Sequence, residues 1–320
     1  YAFPKGHSAS YAVESYQSLY LKCYFPLEFM VAAINNGGGF YTVETYLQEI
    51  RNKGGVVHPP CINTSNHPTV IKGKAIYLGL GYLKELELKT IQRILENRNF
   101  YGAYQSLANF LERVPIGIEQ VSILIKIDAF RFTGKDKHEL LWNAHFMINQ
   151  PQVLEHQEQL FSNPPKNFVL PSFEHSFLTQ AYDQLAVLGF HLFHPFQLLK
   201  HKITSKMNIN RIRNRYVNRD GLMTVEQNPS VTVYGYLITM KATSTSKGEY
   251  MYFGTFYDYN FMIFDTVHFP KVATQYPIRG KGIYRCTGTI QLELGYLSIN
   301  ITSIHKMELL QDPRFVSRYS

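Results

Sequence analysis

Five consecutive stretches in the last third of the chain are built from β-branched and aromatic residues, and they limit the possible fold more than any other feature. They read VTVYGYLITMK, YMYFGTFY, FMIFDTVHF, GIYRCTGTIQLE and GYLSINITSI, and the first begins at residue 231. Turn-forming segments such as SKGE and PIRGKG separate them. Runs of this composition between turn residues predict β-strands. Five strands of this length favour a small closed barrel, of which the OB-fold is the common form.

The preceding two thirds of the chain has the helical period instead. From Ser10 to Ile34 and from Tyr41 to Lys53, apolar residues recur every three or four positions. Short helical pieces are expected between 73 and 134, and longer helices around 136–149 and 174–189. The predicted fold class is therefore α+β and multidomain, with an N-terminal helical region and a C-terminal five-stranded OB-type β-barrel.

Charge and cysteine content narrow the choice of partner and compartment. Lys and Arg number 32 against 24 Asp and Glu, an excess of eight that suits a polyanion, with nucleic acid first among the candidates. The three cysteines are scattered without a CxxC pair, so neither a disulfide framework nor a zinc knuckle is indicated, and a reducing cytoplasm fits. No apolar run approaches the roughly 18 residues of a membrane span, so no membrane partner is expected.

The usual sequence motifs for bond-making chemistry are missing. The chain has no GxxxxGK[ST], HExxH or GxSxG motif and no closely paired DxD carboxylates. GLGYLK at 79–84 lacks the third glycine of a dinucleotide fingerprint, and His191 and His194 have no third metal ligand nearby. VVHPPC, with His58 and Cys61, is better explained as a rigid turn. The sequence therefore predicts no catalytic residue, metal site or cofactor in this chain.

Basic residues in two regions indicate nucleic-acid binding. The segment 200–219 has seven cations and no acid, enough to neutralise several phosphates, although a basic solvated linker explains it equally well. In the barrel segment, cations lie among aromatic residues, the combination that single-strand binding uses. Strand alternation places either Tyr250 and Tyr252 or Met251 and Phe253 inside the barrel, and the sequence leaves that choice open. The candidate DNA-binding residues are Arg211, Arg213, Arg215, Lys241, Lys247, Tyr250, Tyr252, Arg279, Lys281 and Arg285.

Five stretches match one known family in collinear order. They are FPKGHSASYAVESYQSLYLKCYFPLEFMVAAI at 3–34, VVHPPCIN, IYLGLGYLK, LGFHLFHPFQLL at 188–199 and TSTSKGEYMYFGTFYD at 243–258. They resemble, in turn, the end of the fingers, the proline turn, the entry into the tandem helix-hairpin-helix region, a His-Pro-hydrophobic signature and the second OB strand of the alpha subunit of bacterial DNA polymerase III. The resemblance implies a C-terminal fragment whose catalytic carboxylates and Mg²⁺ belong to a palm outside this chain.

The resemblance also implies a domain plan. It places the end of the fingers at 1–72, a degenerate tandem helix-hairpin-helix region at 73–134, a helical connector at 135–229, the OB-fold at 230–310 and a tail at 311–320. In the fingers, a group of five residues would shape the nucleotide side, although a purely structural helix entry is the alternative. These residues are Lys5, His7, Ser8, Ser10 and Tyr11.

Both helix-hairpin-helix units depart from the family pattern. Glu85 and Glu87 stand where the first hairpin usually has two glycines, and the second hairpin reads DAFR, from Asp128 to Arg131, in place of GAFD. Two carboxylates repel a phosphate, so we expect the hairpin fold to persist while its DNA contact is lost. If Ser320 is the natural end, the ending QDPRFVSRYS leaves no room for the domain with which the replicative subunit binds the clamp-loader protein tau, and the chain would then resemble a shorter paralogue serving repair or lesion bypass.

A short peptide in the connector matches a further part of the family. Gln157, Leu160 and Phe161, in the sequence QEQLF, have the spacing and place of the peptide that docks into the sliding clamp. The alternative is that Leu160 and Phe161 pack against neighbouring helices. The implied partners are single-stranded and primer–template DNA and the sliding clamp. A non-catalytic adaptor that joins single-stranded DNA to the clamp is the alternative function.

Overall fold

A computed structural model describes residues 5–37, 39, 41–148, 176–203, 208–218 and 229–315. Two compact units divide the chain, one within residues 1–192 and the other within 193–320. None of the helices in these described ranges is long and apolar enough to cross a membrane.

The first unit is mainly helical, as predicted. Its helices are α1 (Lys5–Tyr24), α2 (Pro26–Asn35), α3 (Val43–Asn52), α4 (Leu88–Tyr101), α5 (Leu107–Arg113), α6 (Ile118–Lys126), α7 (Lys137–Ile148) and α8 (Phe177–Leu188). Its strands are β1 (Val56–His58), β2 (Val70–Lys72) and β3 (Ala75–Tyr77). Strand β3 lies between β1, to which it is parallel, and β2, to which it is antiparallel. This small sheet was not predicted, because three-residue strands are too short to show alternation.

One hydrophobic core joins the helices from α2 to α8. Ile34 of α2, Ile50 of α3, Ile94 of α4, Phe110 of α5 and Leu124 of α6 are all fully buried or nearly so within it. Helix α1 differs from the others because none of its residues is buried.

The second unit contains the predicted five-stranded barrel. Its elements are α9 (Ile209–Tyr216), β4 (Ser230–Ser244), β5 (Tyr250–Tyr257), β6 (Ile263–His268), α10 (Pro270–Gln275), β7 (Ile283–Glu293) and β8 (Tyr296–Lys306). The strands close in the order β4-β5-β6-β8-β7. The pair β6–β8 is parallel and the others are antiparallel, which gives an OB-type barrel.

Burial along β5 decides which aromatic set faces inward. Gly254 and Phe256 are buried, and Phe256 stacks on Phe264 of β6 at a centroid distance of 5.5 Å. Tyr252 belongs to this inward-facing set by alternation, so Phe253 points outward and is 44% exposed. Cys286 is fully buried in the same core, and its burial raises the pKa of the thiol.

Part of the basic segment 200–219 folds as helix α9 and packs on the barrel. Ile209 and Ile212 are buried in the barrel core, and the Asn208 side chain caps the helix by accepting the N–H of Arg211 at 2.8 Å. The interpretation of this stretch as a solvated linker is therefore wrong for residues 209–216. The three-residue spacing of two isoleucines was too short a signal in the sequence.

Candidate nucleic-acid interface

The outer surface of strands β5 and β6, together with the adjoining end of β4, places a cation beside an exposed ring; this surface is called the β5–β6 face. Lys241 of β4 pairs in register with Phe253 of β5, and Phe253 pairs with Val267 of β6. Side chains directly opposite each other on one face lie about 5 Å apart. The face therefore combines a stacking surface for a base with a positive charge for a phosphate.

The turn between β4 and β5 adds a second cation near this surface. Lys247 is exposed in the turn, and Tyr250 is 70% exposed where β5 begins, although alternation puts it on the same side of the strand as Tyr252. Two backbone hydrogen bonds hold the turn: the Thr245 N–H donates to Glu249 O at 2.8 Å, and the Gly248 N–H donates to Thr245 O at 2.9 Å. The positive φ of 79° at Gly248 is a conformation that favours glycine. The turn thus presents Lys247 from a fixed backbone.

The same face carries a carboxylate that is engaged by two hydroxyl groups. Asp265 accepts a hydrogen bond from Thr255 Oγ1 at 2.6 Å and another from the Tyr296 hydroxyl at 2.5 Å. Tyr296 is 55% exposed at the start of β8, so Asp265 fixes the orientation of a second exposed ring. Tyr296 was not predicted as a site residue, because only the pairing of β6 with β8 brings it to Asp265.

The predicted arginines of α9 are all exposed, and one of them reaches the turn between β7 and β8. Arg211, Arg213 and Arg215 are exposed, whereas Ile212 is buried and Tyr216 is half-buried against the barrel. Arg213 Nη2 donates to the carbonyl oxygen of Gly295 in that turn at 3.5 Å. Helix α9 therefore places the positive charge of Arg213 beside Gly295, the residue before Tyr296 at the start of β8.

The remaining predicted cations lie elsewhere on the barrel. Arg279 and Lys281 are exposed between α10 and β7, and Arg285 is exposed on β7, where it pairs with Tyr234 of β4. Lys241 lies seven residues beyond Tyr234 along β4, about 23 Å at the usual rise of a strand. The structure therefore separates the predicted barrel cations into two groups.

The two helix-hairpin-helix turns keep a backbone that favours glycine. Glu85 has φ 64° and Asp128 has φ 65°, both in the left-handed region. A residue with a Cβ pays roughly 1–2 kcal/mol there. The hairpin conformation has thus been retained although the glycines expected from the resemblance are absent.

A side chain from α6 is hydrogen-bonded to the backbone of the first hairpin. Gln120 Oε1 accepts the Glu87 N–H at 2.8 Å, and Gln120 Nε2 donates to Glu85 O at 2.8 Å. The Glu87 amide is therefore already bonded, and the exposed carboxylates of Glu85 and Glu87 flank it. This geometry does not favour a phosphate at that amide, in line with the sequence-based expectation.

Several arginines of the first unit are engaged by main-chain oxygens. Arg98 donates to Ile62 O and Ser65 O at 2.9 and 2.7 Å, and Arg131 donates to Pro60 O and Pro59 O at 2.9 and 3.0 Å. Arg131 replaces the acidic end of the usual hairpin and fastens the second hairpin to the proline turn. These guanidinium groups stabilise the fold, so part of the net positive charge is not directed at a ligand.

The fingers candidates occupy the first two turns of α1. Lys5, His7, Ser10 and Tyr11 are exposed and Ser8 is half-buried. The rings of His7 and Tyr11 meet edge to face at 4.4 Å, and Ser10 Oγ donates to Gly6 O at 3.0 Å. The helix thus presents these side chains together on its surface.

The predicted clamp-binding peptide and the expected absence of a metal site are the remaining predictions from the sequence. Gln157, Leu160 and Phe161 lie outside the described residues. Within the described ranges, no group of three or more His, Cys, Asp or Glu side chains is arranged to hold a metal ion.

Comparison with known proteins agrees with the sequence resemblance. A family model described as "Helix-hairpin-helix motif" matches residues 54–140. An error-prone DNA polymerase of Bdellovibrio bacteriovorus is 28% identical over 78% of this chain and 24% of its own length. The DNA polymerase III subunit alpha of Aquifex aeolicus is 27% identical over 78% of this chain and 20% of its own length. That of Deinococcus radiodurans is 35% identical over 44% of this chain and 11% of its own.

These matches confirm the predicted resemblance to the alpha subunit of bacterial DNA polymerase III. The chain spans about a quarter or less of the length of these curated relatives. The helix-hairpin-helix match includes the predicted 73–134 region and extends beyond it at both ends.

Proposed function

We propose that this chain is a DNA-handling part of a bacterial DNA polymerase, in which the barrel holds the single-stranded template ahead of the active site. Template-directed synthesis would take place in a palm outside the chain, where Mg²⁺ and the catalytic carboxylates are expected. The relatives, which are named as DNA polymerases, support this assignment. The relatives carry two names, error-prone DNA polymerase and DNA polymerase III subunit alpha, at 28% and 27% identity over the same share of this chain, so the proposal includes both roles.

The observation that carries the proposal is the side-by-side placement of Lys241 and Phe253 on the outer face of an OB-type barrel. The strand 2–3 face and the adjoining loops are where this fold binds oligonucleotides, and these correspond to β5, β6 and the two turns next to them. Tyr296 supplies a second ring on that face, and Lys247 adds a cation from the turn before β5. A strand crossing the face meets both rings and positive charges.

The helix-hairpin-helix region serves mainly as a scaffold in this proposal. Gln120 occupies the first hairpin, and Arg131 braces the second against the proline turn. The QEQLF peptide, with Gln157, Leu160 and Phe161, would recruit the sliding clamp, and the exposed start of α1 would contribute to the nucleotide side of the fingers.

Equilibrium binding of the complete chain to fluorescent oligothymidylate tests the barrel assignment. Affinity should fall with salt by about 0.7 in log–log slope for each phosphate neutralised, and a blunt duplex should bind to this face less well. Lys241→Ala with Lys247→Ala should lower the slope by about 1.4, whereas Lys53→Ala with Lys74→Ala, in the first unit, should leave it unchanged. An unchanged slope in the first variant would refute the assigned face.

Because catalysis is assigned to a palm outside this chain, a primer-extension assay should give a negative result. The chain by itself, with Mg²⁺, primer–template and nucleotides, should not extend the primer. Incorporation by purified material would contradict the proposal that catalysis occurs elsewhere.

A further inference from the structure

The loop that leads into β7 is held at several backbone positions by two side chains. The buried hydroxyl of Tyr284 accepts the Arg279 N–H at 3.1 Å and donates to Gly280 O at 2.6 Å. Lys306 Nζ donates to Arg279 O at 2.8 Å and lies 5.9 Å from the centre of the Tyr284 ring. Gly280 and Gly282 have positive φ values of 67° and 153°. The loop is therefore a preformed turn whose arginine and lysine start from fixed positions.

The charge on this side of the barrel is concentrated. Arg279 and Lys281 are exposed in the loop, and Arg285 is exposed on β7 next to exposed His305 of β8 in register. Among the described residues, neither Arg279 nor Arg285 pairs with a carboxylate.

The nearest acidic residue along β8 belongs to another pair. Glu308, two residues beyond the end of the strand, bonds to Lys200 at 2.9 Å, and that contact lowers the pKa of its carboxyl group. Its charge is thus offset by Lys200, and the positive field of the loop and β7 is retained.

The closure of the barrel separates this surface from the β5–β6 face. In the ring β4-β5-β6-β8-β7, strand β7 lies opposite the seam between β5 and β6. Because Arg285 points outward from β7, it faces away from Phe253 on β5. Lys241 is on β4, next to β7, but lies about 23 Å along that strand from Tyr234, the register partner of Arg285.

The side chains beside these cations fit the backbone of a duplex better than unpaired bases. Tyr234 and Tyr276 are half-buried, whereas Tyr250 and Phe253, elsewhere on the barrel, are exposed. Single-strand sites use exposed rings as stacking platforms, whereas the duplex backbone is bound by cations without base contacts.

We propose that Arg279, Lys281 and Arg285 form a second DNA-binding surface, which takes the phosphate backbone of duplex DNA without reading its sequence. The inference rests on the proposed function, because it assigns the duplex next to the single strand that the β5–β6 face holds. The barrel would then bind single-stranded DNA on one surface and duplex DNA on another.

Two probes in one binding assay test the proposal on the complete chain: oligothymidylate and a blunt duplex. Arg279→Ala with Arg285→Ala should lower the salt slope for the blunt duplex by about 1.8 and leave oligothymidylate binding unchanged. Lys241→Ala with Lys247→Ala should do the reverse. Lys53→Ala with Lys74→Ala removes the same charge from the first unit and should change neither.

Each outcome has a distinct meaning. If the Arg279/Arg285 variant binds blunt duplex with the wild-type slope, the second surface is refuted. If it loses oligothymidylate binding to the same extent, the two groups form one site and the proposal also fails. If wild-type protein binds no oligothymidylate, the proposed function fails, whereas the duplex result still decides the second surface. Far-ultraviolet circular dichroism and melting temperature verify that the variants are folded.

Discussion

The carboxylate of Asp258 accepts the backbone N–H of Ile209 at 3.0 Å, and this hydrogen bond fastens the start of α9 to the barrel. Asp258 is fully buried after β5, and its other oxygen accepts the N–H groups of Asn260 and Met262 at 2.8 and 3.0 Å. One side chain therefore orders both the turn between β5 and β6 and the basic helix. The position of the α9 arginines depends on a residue about fifty positions further along the chain.

Asp258→Ala should destabilise the protein by roughly 2–4 kcal/mol, because it leaves buried N–H groups without an acceptor. Asp258→Asn, which keeps one carbonyl oxygen, should cost less. Urea unfolding followed by far-ultraviolet circular dichroism measures the free energy of unfolding of each variant. An Ala variant as stable as the wild type would contradict the bracing role of Asp258.

Removal of the exposed ring on the β5–β6 face should weaken single-strand binding without altering its salt dependence. Stacking of a base on an aromatic side chain is worth about 1–3 kcal/mol, so Phe253→Ala should reduce oligothymidylate affinity roughly five- to a hundredfold. Phe100, which is 80% exposed in the first unit, provides the matched control as Phe100→Ala. Equal losses in the two variants would show that the effect is not specific to this face.

Relief of backbone strain in the first hairpin should stabilise the protein. Glu85→Gly replaces a left-handed glutamate by the residue that adopts this conformation freely, with an expected gain of about 0.5–1 kcal/mol in the free energy of unfolding. Glu87→Gly removes the same charge at a residue with φ −66°, where no such gain is expected. A Glu85→Gly protein less stable than Glu87→Gly would argue against strain at this turn.

Stability should fall in mild acid because of His268. This residue is fully buried, its Nε2 bonds to Thr266 Oγ1 at 2.8 Å, and its Nδ1 has no hydrogen-bond partner in the described part of the chain. Burial lowers its pKa from 6.5 to about 4. Between these values the unfolded state binds the proton and the folded state does not, so the free energy of unfolding falls as pH decreases from about 6.5 to about 4.

The magnitude of this loss is about 3 kcal/mol, since each pKa unit corresponds to about 1.4 kcal/mol. His268→Gln keeps a polar side chain without a titrating group, so its unfolding free energy should fall less over the same pH range. Urea titrations at several pH values measure both slopes. Parallel slopes in the two proteins would rule out His268 as the cause.

The QEQLF peptide should bind the clamp through its two apolar anchors. Full burial of each side chain is worth roughly 1.5–3 kcal/mol, so Leu160→Ala with Phe161→Ala should weaken clamp affinity by about 3–5 kcal/mol, a hundredfold or more. Glu158→Ala with Gln159→Ala changes the two spacer residues and is the control. Loss of thermal stability at unchanged clamp affinity would identify Leu160 and Phe161 as core residues instead.

The sequence by itself determined the local structure and the resemblance. Runs of β-branched and aromatic residues between turn segments predicted the five strands of the barrel, and apolar residues recurring every three or four positions predicted the helices. The positions of Glu85 and Asp128 also indicated altered hairpins before their φ values of 64° and 65° were known. These signals lie within a few residues of one another along the chain.

Only the tertiary structure decided how distant residues meet. Strand register put Phe253 outside the barrel next to Lys241 and placed Arg285 beside Tyr234, about 23 Å from Lys241 along β4. Gln120 reached the first hairpin from 33 residues away, and Asp258 reached α9 from 49 residues away. Such contacts leave no pattern in the neighbouring sequence. They form when barrel closure and helix packing bury many side chains at once and so bring distant residues together.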